Sequence, residues 1–250
     1  MSNIELVKVT NEKDVLKYGL GCLTNQTHPG FQSKLNWLKN EFANGLTIII
    51  LRVDGKSAGM IEYTTGKNYW RPVNANNYLM IHCLWITHSK YHGKEYGKKL
   101  INVCLEDAKR KNVNGVGVVT SDGPWMADKR IFIKNSFKEI ESKERFELLV
   151  KKFKNGKLPS FIDWDNNQIN SKGFKIEYAN QCPMFAKCIP DMQSVVKNKD
   201  LSIDISELKS SEAARKAPSG YGVMNVLSNG IVVADHYISG KRFENILNNE

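Results

Sequence analysis

Apolar residues recur along the chain at two spacings, and the change from one to the other marks where strands give way to helices. The clearest change follows the apolar run Tyr78–Ile86, which predicts a strand buried on both faces. A short basic loop with glycines, Ser89–Gly97, comes next, and apolar residues then recur at helical spacing over Tyr96–Ala108. Loop N–H groups and the positive end of a helix dipole converge at such a junction. The sequence therefore predicts a site for phosphate or pyrophosphate, with lysines beside it at Lys90, Lys94, Lys98 and Lys99.

The same periodicity divides the first 153 residues into eleven elements. They follow the order strand, two helices, three strands, helix, strand, helix and two strands, which predicts an α/β (α+β) domain. The predicted ranges are Ile4–Val9, Asn11–Cys22, Phe31–Asn44, Leu46–Val53, Lys56–Thr65, Tyr78–Ile86, a helix from Tyr96, Asn114–Thr120, Met126–Lys134, Phe137–Ser142 and Phe146–Phe153.

The stretch Lys154–Ser171 is polar, contains Gly and Pro, and shows no periodicity, so it is the predicted linker between a domain at 1–153 and a second at 172–250. The second domain is predicted to contain short strands and helices, with a hairpin turn at Asn229-Gly230. Its predicted elements are Phe174–Tyr178, Pro183–Lys197 (if Pro190 is tolerated), Leu201–Ile205, Ser210–Lys216, Gly222–Leu227, Ile231–Tyr237 and Lys241–Leu247.

Charge and composition narrow the class of protein without naming a ligand. The 250 residues carry a formal net charge of +10, which favours an anionic ligand. The lysines are scattered and no arginine-rich run occurs, so a solvated basic surface is favoured over a nucleic-acid face. No apolar run is long enough for a membrane helix, and the first residues lack the apolar core of a signal peptide. We therefore expect a soluble, cytoplasmic protein.

The cysteines favour neither a disulfide framework nor a metal site. Five cysteines are an odd number in a chain of cytosolic appearance. No pair of CxxC or HxxxH motifs occurs, so we expect no metal. His82 and Cys83 are neighbours on the predicted strand and should point to opposite faces.

The order of elements and the central loop resemble the GCN5-related N-acetyltransferase (GNAT) family. The residues His92-Gly93-Lys94-Glu95-Tyr96-Gly97-Lys98 stand where that family has its Arg/Gln-x-x-Gly-x-Gly/Ala acetyl-CoA loop. The resemblance implies a mixed central sheet flanked by helices, with acetyl-CoA as the cofactor. It also implies that the main chain of Leu84, Trp85 and Ile86 pairs with the pantetheine arm. His92 replaces the usual Arg or Gln, and Glu95 occupies a glycine position.

The second domain resembles a small thioredoxin-like α/β domain. Cys182-Pro183 lies between a strand and a helix, and Pro218 precedes the hairpin. The two domains in this order resemble the YoaP-like two-domain acetyltransferases, as do the segments IEYTTGKNYWRP, IHCLW and SDGPWMADK.

Acetyl transfer to an amine needs a base for the amine and a proton for the leaving thiolate. Glu62 and His82 are the candidate bases, with a cross-strand ion pair and a hydrogen-bonded core histidine as the respective alternatives. The family's usual acid, a tyrosine, is replaced here by Phe132. Tyr96 or Tyr91 is a candidate substitute, and core packing is the alternative for both.

The acceptor is expected to bind near the loop that holds His28, where the family's fold admits it. An exposed Trp70–Arg71 pair and Trp125 are predicted to line the cleft, with Asp128 nearby; core packing of the tryptophans and a surface arginine are the alternatives.

These features predict an acetyl-CoA-dependent N-acetyltransferase that acts on a small amine or amino acid-like acceptor by direct transfer in a ternary complex. The alternative is a thiol- or redox-linked protein that uses Cys182, with the first domain only binding CoA. Cys188 is too poorly aligned with Cys182 for a relaxed disulfide, and Cys83 lies in an apolar strand, which disfavours a covalent intermediate. Exposed sheet edges in both domains allow a homodimer.

Overall fold

The computed structural model describes residues 2–167, 172–199 and 201–249. Their contacts divide into two compact units. The first contains the residues up to Thr27, Leu38–Tyr69 and Val73–Phe161, and the second contains His28–Trp37, Trp70–Pro72 and the residues from Ile162 onward. Two short segments of the N-terminal half of the sequence, 28–37 and 70–72, are therefore part of the second unit.

The elements from the N-terminus to Phe161 follow the predicted order, with two very short strands added. They are β1 (Ile4–Val9), α1 (Glu12–Tyr18), α2 (Pro29–Ala43), β2 (Thr47–Val53), β3 (Lys56–Thr65), β4 (Val73–Asn74), β5 (Leu79–Ile86), α3 (Tyr96–Arg110), β6 (Gly115–Ser121), α4 (Lys129–Lys134), β7 (Lys138–Lys143), β8 (Phe146–Lys152) and β9 (Ser160–Phe161).

A seven-stranded mixed sheet forms the first unit, in the order β1-β2-β3-β5-β6-β8-β7. Its pairs are antiparallel except for β5 and β6, which run parallel. The apolar face of α3 packs on one side of this sheet, where Leu100, Ile101 and Cys104 meet Ile61 and Ile81 in the buried core. The predicted α/β class, with a mixed central sheet flanked by helices, is confirmed.

The second unit contains β10 (Phe174–Tyr178), α5 (Phe185–Asn198), β11 (Ile203–Glu207), α6 (Ser211–Arg215), β12 (Met224–Ser228), β13 (Ile231–Ala234) and α7 (Gly240–Asn248). Its sheet has the order β11-β10-β12-β13, with β10 and β11 parallel and the other pairs antiparallel. The hairpin turn has φ of 48° at Asn229 and 85° at Gly230. Two consecutive residues with positive φ are what the predicted type I′ turn requires.

The predicted boundaries differ from the observed ones where a local signal ends or starts a helix. The first helix ends at Tyr18 because Gly19, at φ 81°, caps it. The helix predicted from Met126 begins only at Lys129, after the Asp128 side chain accepts a hydrogen bond from the N–H of Arg130. Helix α5 continues through Pro190.

The pairing of β4 with β9 was not predicted. Each strand has two residues, and Val73 pairs with Phe161 although the two lie far apart in the sequence. Strands this short carry no periodicity. Ser160 and Phe161 fall in the predicted linker, of which residues 168–171 lie outside the described part of the chain.

Within residues 2–167, 172–199 and 201–249, no helix combines the length and the apolar character that crossing a membrane requires.

Candidate active site

Strand β5 loses one of its two neighbours halfway along its length. In the described part of the chain, it pairs with β6 from Leu79 to Ile81, opposite Val116–Val118. Beyond Ile81, β5 continues on β3 as far as Ile86 while β6 continues on β8, so the two parallel strands part. The prediction of burial on both faces is wrong for this second half, since Trp85 is 49% exposed. Leu84, Trp85 and Ile86, the predicted pantetheine-binding residues, lie on the parted half.

A β-bulge lies where the strands part. Tyr63 pairs with Ile81 and Glu62 pairs with Cys83, so His82 is an extra residue on β5. Ile81 and Leu84 both pack against the core under α3. The two residues between them therefore both point away from α3, because a bulge breaks the alternation of a strand. The expectation that His82 and Cys83 point to opposite faces is wrong.

The bulge brings the two predicted bases together. His82 Nδ1 lies 3.2 Å from Glu62 Oε1, and the two side chains are 2% and 1% exposed. An imidazole, which is charged only when protonated, therefore lies beside the Glu62 carboxylate. A carboxylate this deeply buried is costly unless it is paired, and histidine is the side chain whose ordinary pKa lies closest to neutral pH.

Tyr69 completes this cluster, and sequence reasoning missed it. Its ring stacks on the imidazole of His82, with centroids 4.9 Å apart and planes 10° apart. Its hydroxyl donates a hydrogen bond of 3.2 Å to the carbonyl oxygen of Ile81. Tyr69 follows β3 in a segment without periodicity, so no pattern in the sequence marks it.

The basic loop before α3 has the backbone of an anion site. Gly93 has φ 72°, and Glu95, which precedes the helix, has the left-handed φ of 56°. The N–H of Lys99 bonds to the carbonyl of Glu95. The N–H groups of the three residues before Lys99 are too early in α3 to find partners within the helix. The predicted cofactor-binding residues from His92 to Lys98 thus form one continuous turn into α3.

The Glu95 carboxylate does not cap this helix end. It makes no capping hydrogen bond among the described residues and instead pairs with Lys98 Nζ at 3.1 Å, on an exposed surface. Close packing explains the glycine at position 97, since a Cβ there would lie 2.5 Å from Cδ1 of Ile131.

The aromatic residues considered for the acid lie in the core. Tyr91 and Tyr96 are each 7% exposed, with ring centroids 6.1 Å apart, and both belong to the core cluster under α3. Phe132 is fully buried against Phe137. Core packing, the alternative to an acid role for Tyr91 and Tyr96, predicts this burial.

The prediction of an exposed Trp–Arg wall is wrong. Trp70 is 1% exposed and packs edge-on against Trp37. Arg71 is 6% exposed; it donates to the carbonyl of Tyr221 at 2.7 Å, and its guanidinium lies 4.8 Å from the centre of that tyrosine ring. A buried arginine is costly unless its charge has partners of this kind. These contacts explain the burial of Arg71 as packing.

The four predicted acceptor-binding residues fall in different units. His28, whose Nδ1 accepts from the N–H of Gly30 at 3.0 Å, belongs to the second unit together with Trp70 and Arg71. Trp125 belongs to the first unit, as Glu62 and His82 do, and is 50% exposed in the loop after β6.

The cysteines of the second unit differ in exposure. Cys182 is partly exposed and precedes α5 by three residues, whereas Cys188 is buried inside it. The Cys188 thiol donates to the carbonyl of Ile238, and burial raises its pKa to about 11. Cys188 is therefore a poor thiolate at neutral pH. Across the residues that the structure describes, no group of three or more His, Cys, Asp or Glu side chains is arranged to hold a metal ion.

Comparison with known proteins agrees with the resemblance predicted for the first domain. Residues 20–123 match the model of the acetyltransferase (GNAT) family. This range contains β3, β5 with its bulge, the basic loop and α3.

One curated relative matches over nearly the whole chain. The uncharacterized N-acetyltransferase YoaP of Bacillus subtilis (strain 168) is 29% identical over 254 residues, which is 99% of this chain and 99% of that protein. The similarity therefore includes both units.

The solved structures are less similar to this chain than that relative is. The PaiA N-acetyltransferase of Thermoplasma acidophilum in complex with coenzyme A is 16% identical, covers 60% of this chain and 99% of its own, and has a TM-score of 0.45. A putative streptothricin acetyltransferase of Bacillus anthracis in complex with acetyl coenzyme A is 21% identical, covers 44% and 63%, and has a TM-score of 0.37.

Both TM-scores lie below 0.5, so the assignment rests on the family model and the full-length relative. Together they confirm the predicted enzyme class: the chain is an acyltransferase, and its residues 20–123 match the acetyltransferase (GNAT) family.

Proposed function

We propose that the protein is an acetyl-CoA-dependent N-acetyltransferase that acts on a small amine or amino acid-like acceptor by direct transfer. The observation that carries the proposal is the buried Glu62–His82 pair at the point where β5 and β6 part. In this proposal the opening between the strands receives the thioester, and the pair accepts the proton of the attacking amine.

The donor is acetyl-CoA, bound through main-chain groups. The edge of β5 from Leu84 to Ile86 that faces away from β3 offers backbone donors and acceptors to an extended pantetheine arm, as sheet edges do to extended peptides. The turn from His92 to Lys98 directs backbone N–H groups at the pyrophosphate, and the dipole of α3 adds to their effect. The lysines around the loop supply the positive charge that the phosphates need.

The Glu62–His82 pair supplies the base. An amine is protonated at neutral pH and must lose a proton before or during its attack on the thioester carbonyl. Glu62 contacts the imidazole at Nδ1, and a carboxylate beside an imidazole orients that ring in other acid–base pairs. The imidazole is the proposed acceptor of the amine proton. The negative charge of Glu62 stabilises the imidazolium that results.

The oxyanion and the leaving thiolate need their own donors. A backbone N–H on the parted half of β5 is the proposed donor to the oxyanion. With Phe132 unable to donate, the proton that reaches the thiolate comes from Tyr96 or from the imidazolium. Trp125, half exposed in the loop after β6, is the proposed acceptor contact within the first unit.

The second unit is proposed to be a thioredoxin-like domain over 172–250, with 1–153 as the acetyltransferase domain and 154–171 between them. The order β11-β10-β12-β13, with one parallel pair, an intervening helix and an antiparallel hairpin, supports this proposal. The high pKa of Cys188 favours a packing or partner-binding role over a reductant.

A panel of primary amines and amino acids, assayed for free CoA release with acetyl-CoA, tests the proposed function. At least one amine should accelerate release, and mass spectrometry should find the corresponding amide. A Cys182→Ser variant should keep this activity. If no amine accelerates release, or if the Cys182 variant loses all of it, the proposed function fails.

A further inference from the structure

We propose that Tyr69 is a positioning residue of the acetyltransferase site. It fixes the β5 bulge with its hydroxyl and the ring of His82 with its aromatic face. This inference rests on the proposed function, because it concerns the strand and the imidazole assigned to acetyl-CoA and to the base.

The hydroxyl of Tyr69 acts on the main chain. It donates to the carbonyl oxygen of Ile81, the last residue of β5 that pairs with β6 and the residue directly before the bulge. The ladder is disrupted at a bulge, and this hydrogen bond ties the main chain directly before the bulge to the Tyr69 side chain; losing a buried hydrogen bond is costly. The hydroxyl therefore stabilises the backbone where the strands begin to part.

The ring of Tyr69 acts on the side chain of the extra residue. The imidazole of His82 lies between two groups: the Glu62 carboxylate contacts its edge at Nδ1, and the Tyr69 ring covers one face. A contact at one edge of an imidazole does not by itself fix the tilt of the ring. A parallel aromatic neighbour at 4.9 Å restricts that tilt.

One residue thus controls two properties that are separable by mutation. The hydroxyl governs the course of β5 beyond Ile81, and hence the strand edge assigned to the pantetheine arm. The ring governs the orientation of the imidazole, and hence proton transfer. Phenylalanine at position 69 removes only the hydroxyl, while leucine removes both.

Tyr63 provides a matched control on the same strand system. It is fully buried, and its hydroxyl donates to Asp107 at 3.0 Å on the opposite, α3-facing side of the sheet. Tyr63→Phe therefore costs a buried hydrogen bond in the same sheet but removes no group that bonds to the Ile81 carbonyl or stacks on His82. Any effect common to Tyr63→Phe and Tyr69→Phe is general loss of stability.

The experiment compares the two phenylalanine variants and Tyr69→Leu with the unmodified chain. Calorimetry measures the Kd of acetyl-CoA, NMR follows the titration of the His82 imidazole, and kinetics gives kcat and KM between pH 5 and pH 9. The Kd and the titration do not depend on finding an acceptor. Failure of the positioning role is therefore distinguishable from failure of the proposed function.

Tyr69→Phe should raise the Kd and KM of acetyl-CoA about five-fold, the effect of one lost hydrogen bond, and leave the His82 titration and the pH profile unchanged. Tyr69→Leu should also shift the His82 midpoint by on the order of half a pH unit and lower kcat roughly ten- to 100-fold. Tyr63→Phe should change none of these quantities. Should the leucine variant not fold, Tyr69→Met replaces it.

The inference is overturned if the His82 midpoint is the same with leucine or methionine as with tyrosine at position 69. It is equally overturned if Tyr63→Phe weakens acetyl-CoA binding as much as Tyr69→Phe does, because a merely structural role would produce that result.

Discussion

Glu62 and Tyr63 are neighbours on β3, and each belongs to a buried polar pair, but the two pairs lie on opposite faces of the sheet and differ in kind. On the α3 face, Tyr63 donates to Asp107, whose carboxylate also has Lys8, Arg110 and Lys111 within 3.0–3.8 Å. On the other face, Glu62 contacts the imidazole of His82. Asp107 is therefore paired with side chains that stay positively charged, whereas Glu62 lies beside an imidazole, a group that can gain or lose a proton.

The ionisation of the Tyr63–Asp107 pair is fixed. Burial opposes the charge of Asp107, but hydrogen bonds from Arg110 and Tyr63 and the charges of Lys111 and Lys8 outweigh it and lower the pKa of that carboxyl. Burial, together with the nearby Cys104 and Asp107, raises the pKa of Tyr63 far above its usual value. Neither group changes its charge near neutral pH, so this pair serves the fold.

Substitution of His82 is expected to have the largest effect. His82→Gln keeps a hydrogen-bonding side chain near Glu62 but cannot accept the amine proton. We expect kcat to fall about 100-fold, which is typical of a lost general base, and the rise of rate through neutral pH to disappear. Kinetics across the pH range checks this. If kcat of the variant lies within three-fold of that of the unmodified enzyme, the role of the Glu62–His82 pair as the base is contradicted.

Substitution of Asp107 should affect stability and leave the rate unchanged. Asp107→Asn loses charged hydrogen bonds of roughly 1.5–3 kcal/mol, so we expect Tm to fall by about 3–10 °C. The folded-state pKa of Asp107 is lowered, so its stabilisation is present above the ordinary value of 3.8 and lost as pH falls through the folded value. The difference in Tm should therefore narrow below about pH 4. A constant difference down to pH 2 would contradict the ionic origin.

An exposed carboxylate, Glu95, extends the comparison to the surface. Glu95 holds a left-handed backbone at φ 56° directly before the first turn of α3. Glu95→Gly removes both the strain and the charge, and we expect the KM of acetyl-CoA to fall about five-fold. Glu95→Gln removes the charge alone and separates the two effects. An increase in KM with glycine would show that Glu95 assists binding.

Substitution of Ser136 is expected to have the smallest effect. It serves as a reference for a change that alters stability and leaves the activity unchanged. Ser136 has the left-handed φ of 66°, two residues after the end of α4. Ser136→Gly should relieve the left-handed backbone and raise Tm by roughly 1–3 °C, because the gain is partly offset by the greater freedom of glycine in the unfolded chain. Kinetic constants should not change. A lower Tm would mean that the serine side chain stabilises this turn.

Periodicity predicted most of the first unit because its elements are long and bury one face. The strand at Leu79–Ile86, the loop and the helix from Tyr96 were all visible as a change of spacing. The hairpin turn was signalled by Asn229-Gly230.

The bulge was not predictable, since one extra residue on β5 leaves the apolar run intact while it turns Cys83 to the face of His82. Glu62 and His82 were therefore weighed separately although they form one pair. Trp70 and Arg71 were misjudged because a polar, Pro-containing segment looks like an exposed loop. Their burial depends on Trp37 and Tyr221, which are distant in sequence.

The most direct test replaces each of the two buried carboxylates by its amide and measures amine-dependent CoA release from pH 5 to pH 9. Glu62→Gln and Asp107→Asn remove the same charge from opposite faces of one sheet. We expect Glu62→Gln to lower kcat about 100-fold and flatten its pH dependence, while Asp107→Asn keeps the rate and the profile of the unmodified enzyme. Equal losses in both variants, or a loss in neither, would contradict the assignment of the Glu62–His82 pair as the base.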